Sequence, residues 1–243
     1  MVFISGFSVD HRVWIEVAER LKNSFQIILF DNRGAGQSEI PTGLYSVEQM
    51  AHDTAELCAQ LGIKKAHFIG SSMGGFILQT LTHNYPDLVK SAIICNSATH
   101  IHTCFHIYVE AQLALIKAGA PREALIKASY AWAFSYRYLT TPGVLDALIE
   151  WGLCDPYPFS ITGYEGQYAA LNNFDSRSWV HEINTRVLVL TGDQDIIISP
   201  ESAKLLAACI RDSKYYCFSE CGHVPFMEYR DEFVRVVTNF ISE

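Results

Sequence analysis

The 243-residue chain has no cluster of lysine and arginine; 18 basic residues stand against 26 acidic ones, for a formal net charge of -8. The electrostatic footprint that holds a phosphate backbone is missing, so nucleic acid is not an expected partner. No apolar run approaches the roughly 18 residues that read as a membrane helix, so no membrane span is expected. Met1-Val2-Phe3-Ile4-Ser5-Gly6 carries neither the charged start nor the apolar length of a secretory signal. The seven cysteines are odd in number and show no C-x-x-C spacing, which reads as the reduced thiols of a cytoplasmic protein. Internal repeats and low-complexity stretches are also missing. With 49% hydrophobic and only 18% charged residues, the chain has ample material for one core, and disorder is excluded.

What is present is an alternation. Short apolar runs near 2–4, 25–30, 66–69, 91–95, 187–190 and 215–218 read as strands covered on both faces. Helical patterns near 12–22, 46–61, 73–84, 200–210 and 229–242 separate them, and Ser46 with Gln49 reads as a capping box. This β-α-β-α order predicts an α/β fold with a mostly parallel sheet flanked by helices. Residues 100–180 break the order. They hold nearly half of the Phe, Trp and Tyr residues and read as helical, although Tyr130, Trp132, Phe134, Tyr136 and Tyr138 alternate as a strand would. The expected organisation is a core of residues 1–99 and 181–243 with residues 100–180 inserted as a helical lid. Tyr108, Trp132, Phe134 and Val224 are expected to line an apolar substrate pocket beneath it.

Gly70-Ser71-Ser72-Met73-Gly74 is a G-x-S-x-G pentapeptide between an apolar run and a helical pattern. A strand that turns sharply into a helix lifts a serine hydroxyl, here Ser72, above the sheet and aims a helix N-terminus at it. An acid is expected at the end of another strand. Asp193 and Asp195 both follow Val187–Leu190, and Asp195 is placed to reach back toward a histidine. No acid follows the run ending at Cys95, where Asn96 and Ser97 stand. His223, between the last strand and the last helix, completes the chain order Ser72, Asp195, His223. The backbone N–H groups of Met73 and Phe7 are the expected oxyanion donors. His100, His102 and His106 offer an i, i+4 pair but no supporting ligand set, and are expected at the mouth of the lid; no metal is assigned. Gly34-x-Gly36 lacks the third glycine of a dinucleotide loop. Cys221 is a neighbour of the histidine rather than a nucleophile. No cofactor is called for.

These motifs resemble the α/β-hydrolase fold superfamily. Asp31-Asn32-Arg33-Gly34-Ala35-Gly36-Gln37-Ser38 is similar to its D-x-R-G-x-G-x-S loop, Gly192-Asp193-Gln194-Asp195 to its G-x-x-D acid motif, and Gly222-His223 to its terminal G-H. The nearest flavour is that of small-ester and lactone hydrolases such as 3-oxoadipate enol-lactonases and pimeloyl-carrier-protein methyl ester esterases. The resemblance implies a serine hydrolase acting on a small or medium acyl ester; carbon–carbon bond hydrolysis, lactonase action or a slow ligand receptor on the same triad are the alternatives. In two respects the chain departs from the family pattern. Ser5-Gly6 stands where His-Gly is usual, and the chain starts at the first parallel strand, without the two antiparallel strands that usually precede it. A sheet of about six strands is therefore expected, with residues 25–30 at an unprotected edge, so that either the start given is too late or the edge is covered by a second copy in a homodimer.

Overall fold

A computed structural model describes residues 1–157 and 160–243. Six strands form one sheet: β1 (Val2–Ile4), β2 (Ile28–Leu29), β3 (Ala66–Ser71), β4 (Val89–Cys95), β5 (Val187–Gly192) and β6 (Ser213–Phe218). The spatial order is β2-β1-β3-β4-β5-β6, and every pairing is parallel. Parallel neighbours need crossovers, and helices supply them. Those of the core are α1 (Ile15–Leu21), α2 (Val47–Gln60) and α3 (Met73–Asn84), with three more after the insertion.

Period-two alternation splits each strand between two cores. Val2 and Ile4, Ala92 and Ile94, and Val187 and Val189 face one side with α2 and α3. Phe3, Ile93, Cys95, Leu188 and Leu190 face the other, with Trp14 and α1. Each large side chain taken from water contributes about 1.5–3 kcal/mol, so a sheet buried on both faces is the main source of stability. β2 is shorter than the predicted 25–30 run. It lies at the sheet edge, and among the described residues its only strand partner is the three-residue β1, through Val2–Ile28 and Phe3–Leu29.

The described residues of 100–180 add no strand to this sheet. They fold into α4 (Thr103–Lys117), α5 (Arg122–Ala133), α6 (Tyr136–Leu139), α7 (Val144–Leu153) and α8 (Ile161–Asn172). The aromatic alternation over Tyr130–Tyr138 is not a strand. α5 ends at Ala133, Phe134 is extended, and Ser135 caps α6 by accepting from the Tyr138 N–H. After the insertion come α9 (Pro200–Cys209), the one-turn α10 (Pro225–Glu228) and α11 (Arg230–Ser242). Among the described residues, no helix is long and apolar enough to cross a membrane.

His67 on β3 is a pH-sensitive point in this frame. Its Nδ1 meets the Ser91 hydroxyl at 2.8 Å. Burial, with smaller contributions from Lys90, the N-terminal ammonium and Arg186, pushes its imidazole from 6.5 down to about 4. With the folded value depressed, the unfolded chain takes up the proton first. The stability tied to the neutral ring is complete above 6.5 and is lost as pH falls toward about 4. Thermal unfolding at about pH 7 and about pH 4.5 is expected to show a smaller drop in Tm for His67→Gln than for the wild type. Equal drops would refute the assignment.

Candidate active site

The site lies at the carboxyl ends of β1, β3, β4 and β5, where parallel sheets open a crevice. β3 runs into α3 with almost no connection. Ser72, between them, has φ 54° and ψ -116°, a left-handed strain that a non-glycine residue rarely accepts. Crowding explains the glycines on either side. A Cβ on Gly70 would sit 2.2 Å from the Gly74 carbonyl oxygen, and one on Gly74 would sit 2.2 Å from that of Ile4. The Ser72 N–H donates to the Cys95 carbonyl at 2.8 Å, tying the turn to the end of β4.

His223 and Asp195 meet directly. His223 Nδ1 lies 2.8 Å from Asp195 Oδ2, and both side chains are buried. The carboxylate accepts from Nδ1–H, which leaves Nε2 of the neutral ring without a proton. Asp195 is itself held by three more donors: Asn96 Nδ2 at 2.9 Å on Oδ2, and the Ile197 and Ile198 N–H groups at 2.9 Å each on Oδ1. Asp193, the competing acid, turns away and accepts from the Cys221 N–H at 3.1 Å. Asn96 is the residue that sequence reasoning set aside because it is not an acid. Its backbone is left-handed, with φ 49°, a region that asparagine tolerates better than most residues.

Ser72 and His223 line one cavity of about 310 Å³, together with Gly6, Phe7 and Ser71. The loop after β1 closes on the serine: a Cβ on Gly6 would lie 3.4 Å from Ser72 Cβ. Among the described residues, the backbone N–H groups of Phe7 and Met73 have no protein acceptor. Two amides fix this loop. Asn32 Nδ2 donates to the Ser5 carbonyl at 2.9 Å, and the buried Gln167 of α8 accepts from the Ser8 N–H at 2.7 Å. Gln167 also donates to the Arg33 carbonyl at 2.8 Å, so one helical side chain joins both glycine loops. Neither amide carries a sequence signal of its own.

Tyr108, Phe134 and Val224 are among the residues that line the cavity, and Trp132 is not. α5 presents Arg122, Leu125, Ile126, Ser129, Tyr130 and Ala133 to the cavity at spacings of three and four residues. Trp132 falls just outside that stripe and packs against Tyr108 with the rings tilted and their centroids 4.8 Å apart. His102 and His106 bond separately, to Ser202 at 2.8 Å and to Tyr168 at 3.0 Å. Burial pushes the Cys95 and Cys221 thiols well above their ordinary range, which removes them as nucleophiles. Asp10, His11 and Asp31 lie close together, but Asp10 is held by Arg12 and Asp31 by His11 and the Gln37 N–H.

The helical insertion also grips the histidine loop. The His223 N–H donates to the Ala133 carbonyl at 2.7 Å. Glu228 accepts from the Gly222 N–H at 3.0 Å, the Ser135 N–H at 3.0 Å and the Ser135 hydroxyl. Burial pushes the Glu228 carboxyl up, against the opposing pull of those bonds. Gly222 has no room for a side chain: a Cβ would sit 2.7 Å from the Ala133 carbonyl oxygen and from the Ser135 nitrogen. Gly222→Ala is expected to cost about 1–3 kcal/mol in stability through overpacking. Any turnover that uses this histidine should fall by about 10-fold to 100-fold as it shifts. Calorimetry and initial rates measure both, and a variant with wild-type rates would contradict the contact.

Comparison with known proteins agrees with this architecture. The family model of the alpha/beta hydrolase fold matches residues 1–116. The chain is 27% identical over 240 residues to 3-oxoadipate enol-lactonase 2 of Acinetobacter baylyi, covering 98% of this chain and 86% of that protein. The crystal structure of the enol-lactonase from Burkholderia xenovorans LB400 superposes with a TM-score of 0.89 at 26% identity, covering 100% of this chain and 90% of that one. A thermophilic esterase from Thermogutta terrifontis shares the fold with a TM-score of 0.86 at 23% identity, over 99% of this chain and 88% of its own. The chain has the α/β-hydrolase fold.

Proposed function

We propose that this protein is a serine hydrolase that cleaves small or medium acyl esters through Ser72, His223 and Asp195. The observation that carries the reading is one cavity lined by both Ser72, on its strained turn at the start of α3, and His223, whose ring is held by Asp195. Ser72 Oγ attacks the ester carbonyl while His223 Nε2 takes its proton, and Asp195 steadies the imidazolium that forms. Charge collects on the carbonyl oxygen, where the Phe7 and Met73 N–H groups and the α3 N-terminus receive it. Collapse breaks the bond to the leaving oxygen, which takes the proton back from His223 and departs as an alcohol. Water, deprotonated by the same imidazole, then attacks the acyl-enzyme and releases the acid. A lactone is a cyclic ester, so the enol-lactonase relatives and this reading share one chemistry.

A fluorophosphonate probe tests it, alongside turnover of p-nitrophenyl esters from acetate to dodecanoate. Labelling of Ser72 together with ester turnover is expected, with an optimum at chains that fill the apolar cavity. Folded protein that neither labels nor turns over any ester would refute the reading.

A further inference from the structure

Among the described residues, two Asp and two Arg side chains line the cavity, and each lies within 4 Å of an opposite partner. Arg12 and Asp10 come from the segment after β1, Arg122 from α5, and Asp155 from the stretch after α7; all four line the cavity. Arg12 grips Asp10 with two nitrogens: Nε donates to Oδ1 at 2.9 Å and Nη2 to Oδ2 at 2.7 Å. Its Nη2 also donates to Asp155. Arg122 lies 3.8 Å from the other Asp155 oxygen and donates to the Gly152 carbonyl at 2.8 Å. The rings of Trp151 and Tyr157 cover the Arg12 guanidinium, with centroids 5.4 and 5.7 Å away. Two basic and two acidic side chains balance, and bidentate geometry holds the Arg12–Asp10 pair in place. The rest of the wall is dominated by apolar side chains such as Phe105, Ile116, Leu125, Ile126 and Leu148.

We infer that the substrate's acyl chain is uncharged, an inference that rests on the ester-hydrolase reading above. A carboxylate on the far end of the chain would leave its hydration behind in an apolar cavity. Among the described residues it would find no cation without an acidic partner within 4 Å, and it would meet Asp10 and Asp155. Burying a charge without a partner is penalised far more than burying a methyl group is rewarded. The ion pairs act as a selectivity wall that admits neutral acyl chains and rejects anionic ones.

The test compares kcat/KM for p-nitrophenyl hexanoate with that for mono-p-nitrophenyl hexanedioate, which differ by one terminal carboxylate. Wild-type enzyme is expected to prefer the neutral ester by about 30-fold or more. Asp155→Asn leaves two guanidiniums facing one carboxylate, and the preference is expected to shrink by about tenfold or more. Equal use of both esters, preference for the anionic one, or a ratio unmoved in the folded Asp155→Asn variant would each overturn the inference. Fluorophosphonate labelling separates the two levels. Wild type that labels at Ser72 yet favours the anionic ester overturns the substrate class alone, whereas wild type that neither labels nor turns over either ester overturns the hydrolase reading beneath it.

Discussion

Ser72→Ala is expected to lower ester turnover by about 10⁴-fold to 10⁶-fold while leaving the protein folded. The loss is large because the hydroxyl is the only protein group in the scheme that forms a bond to the acyl carbon. Fold retention follows from geometry. Ser72 Oγ has no hydrogen-bond partner among the described residues, and the turn is held instead by the Ser72 N–H on the Cys95 carbonyl and by Gly70 packed on Gly74. Alanine keeps the same backbone strain at φ 54° without adding to it. What remains in the variant is binding and the two backbone donors, which alone still accelerate hydrolysis about 10³-fold to 10⁴-fold over water. Initial rates with the best p-nitrophenyl ester, checked against an unchanged circular dichroism spectrum, measure this. A folded variant with more than a tenth of wild-type activity would contradict it.

The second large effect is expected from Asp195→Asn, at about 10⁴-fold in kcat. The change is nearly isosteric, yet the surroundings cannot accept it. Oδ2 receives His223 Nδ1 and Asn96 Nδ2, while Oδ1 receives the Ile197 and Ile198 N–H groups. Every contact made to the carboxylate is therefore from a donor. An asparagine must turn its NH₂ toward one pair or the other, and either choice sets donor against donor. Facing His223, the amide nitrogen forces the imidazole into the tautomer with its proton on Nε2, where it cannot accept from Ser72. Facing the loop, it leaves two N–H groups without an acceptor, at about 1–3 kcal/mol for a buried group. The measurement is kcat with Tm alongside. Near wild-type kcat in a stable variant would show that Asp195 does not set the tautomer.

Much of this site was readable because its geometry is local. The turn at Ser72 is forced by what Gly70 and Gly74 must pass at 2.2 Å, and such crowding leaves its mark as glycine in the sequence. Asp195 and His223 follow β5 and β6 directly, so the strand pattern places them before any coordinates do. The parallel sheet follows from the alternation of strand and helix, whereas the strand order came from the structure. Residues that act across long sequence separation left no such mark. Asn96 reaches Asp195, Gln167 reaches Ser8 and Arg33, and Glu228 joins Ser135 to Gly222, each through side chains common in ordinary positions. Trp132 illustrates another limit: aromatic content pointed to the right helix, but the phase of α5 decided which rings face the cavity. The length of β2 was set by its short partner β1 rather than by its own apolar run.

The most direct test of the central claim is the mass of the protein itself during turnover. Enzyme mixed with a p-nitrophenyl ester and quenched in acid within its first turnovers is analysed intact and then as peptides. The account predicts a gain equal to the acyl group, located on Ser72 and absent from Ser72→Ala. Hydrolysis that proceeds with no acyl adduct, or with the adduct on a cysteine or histidine, would contradict it.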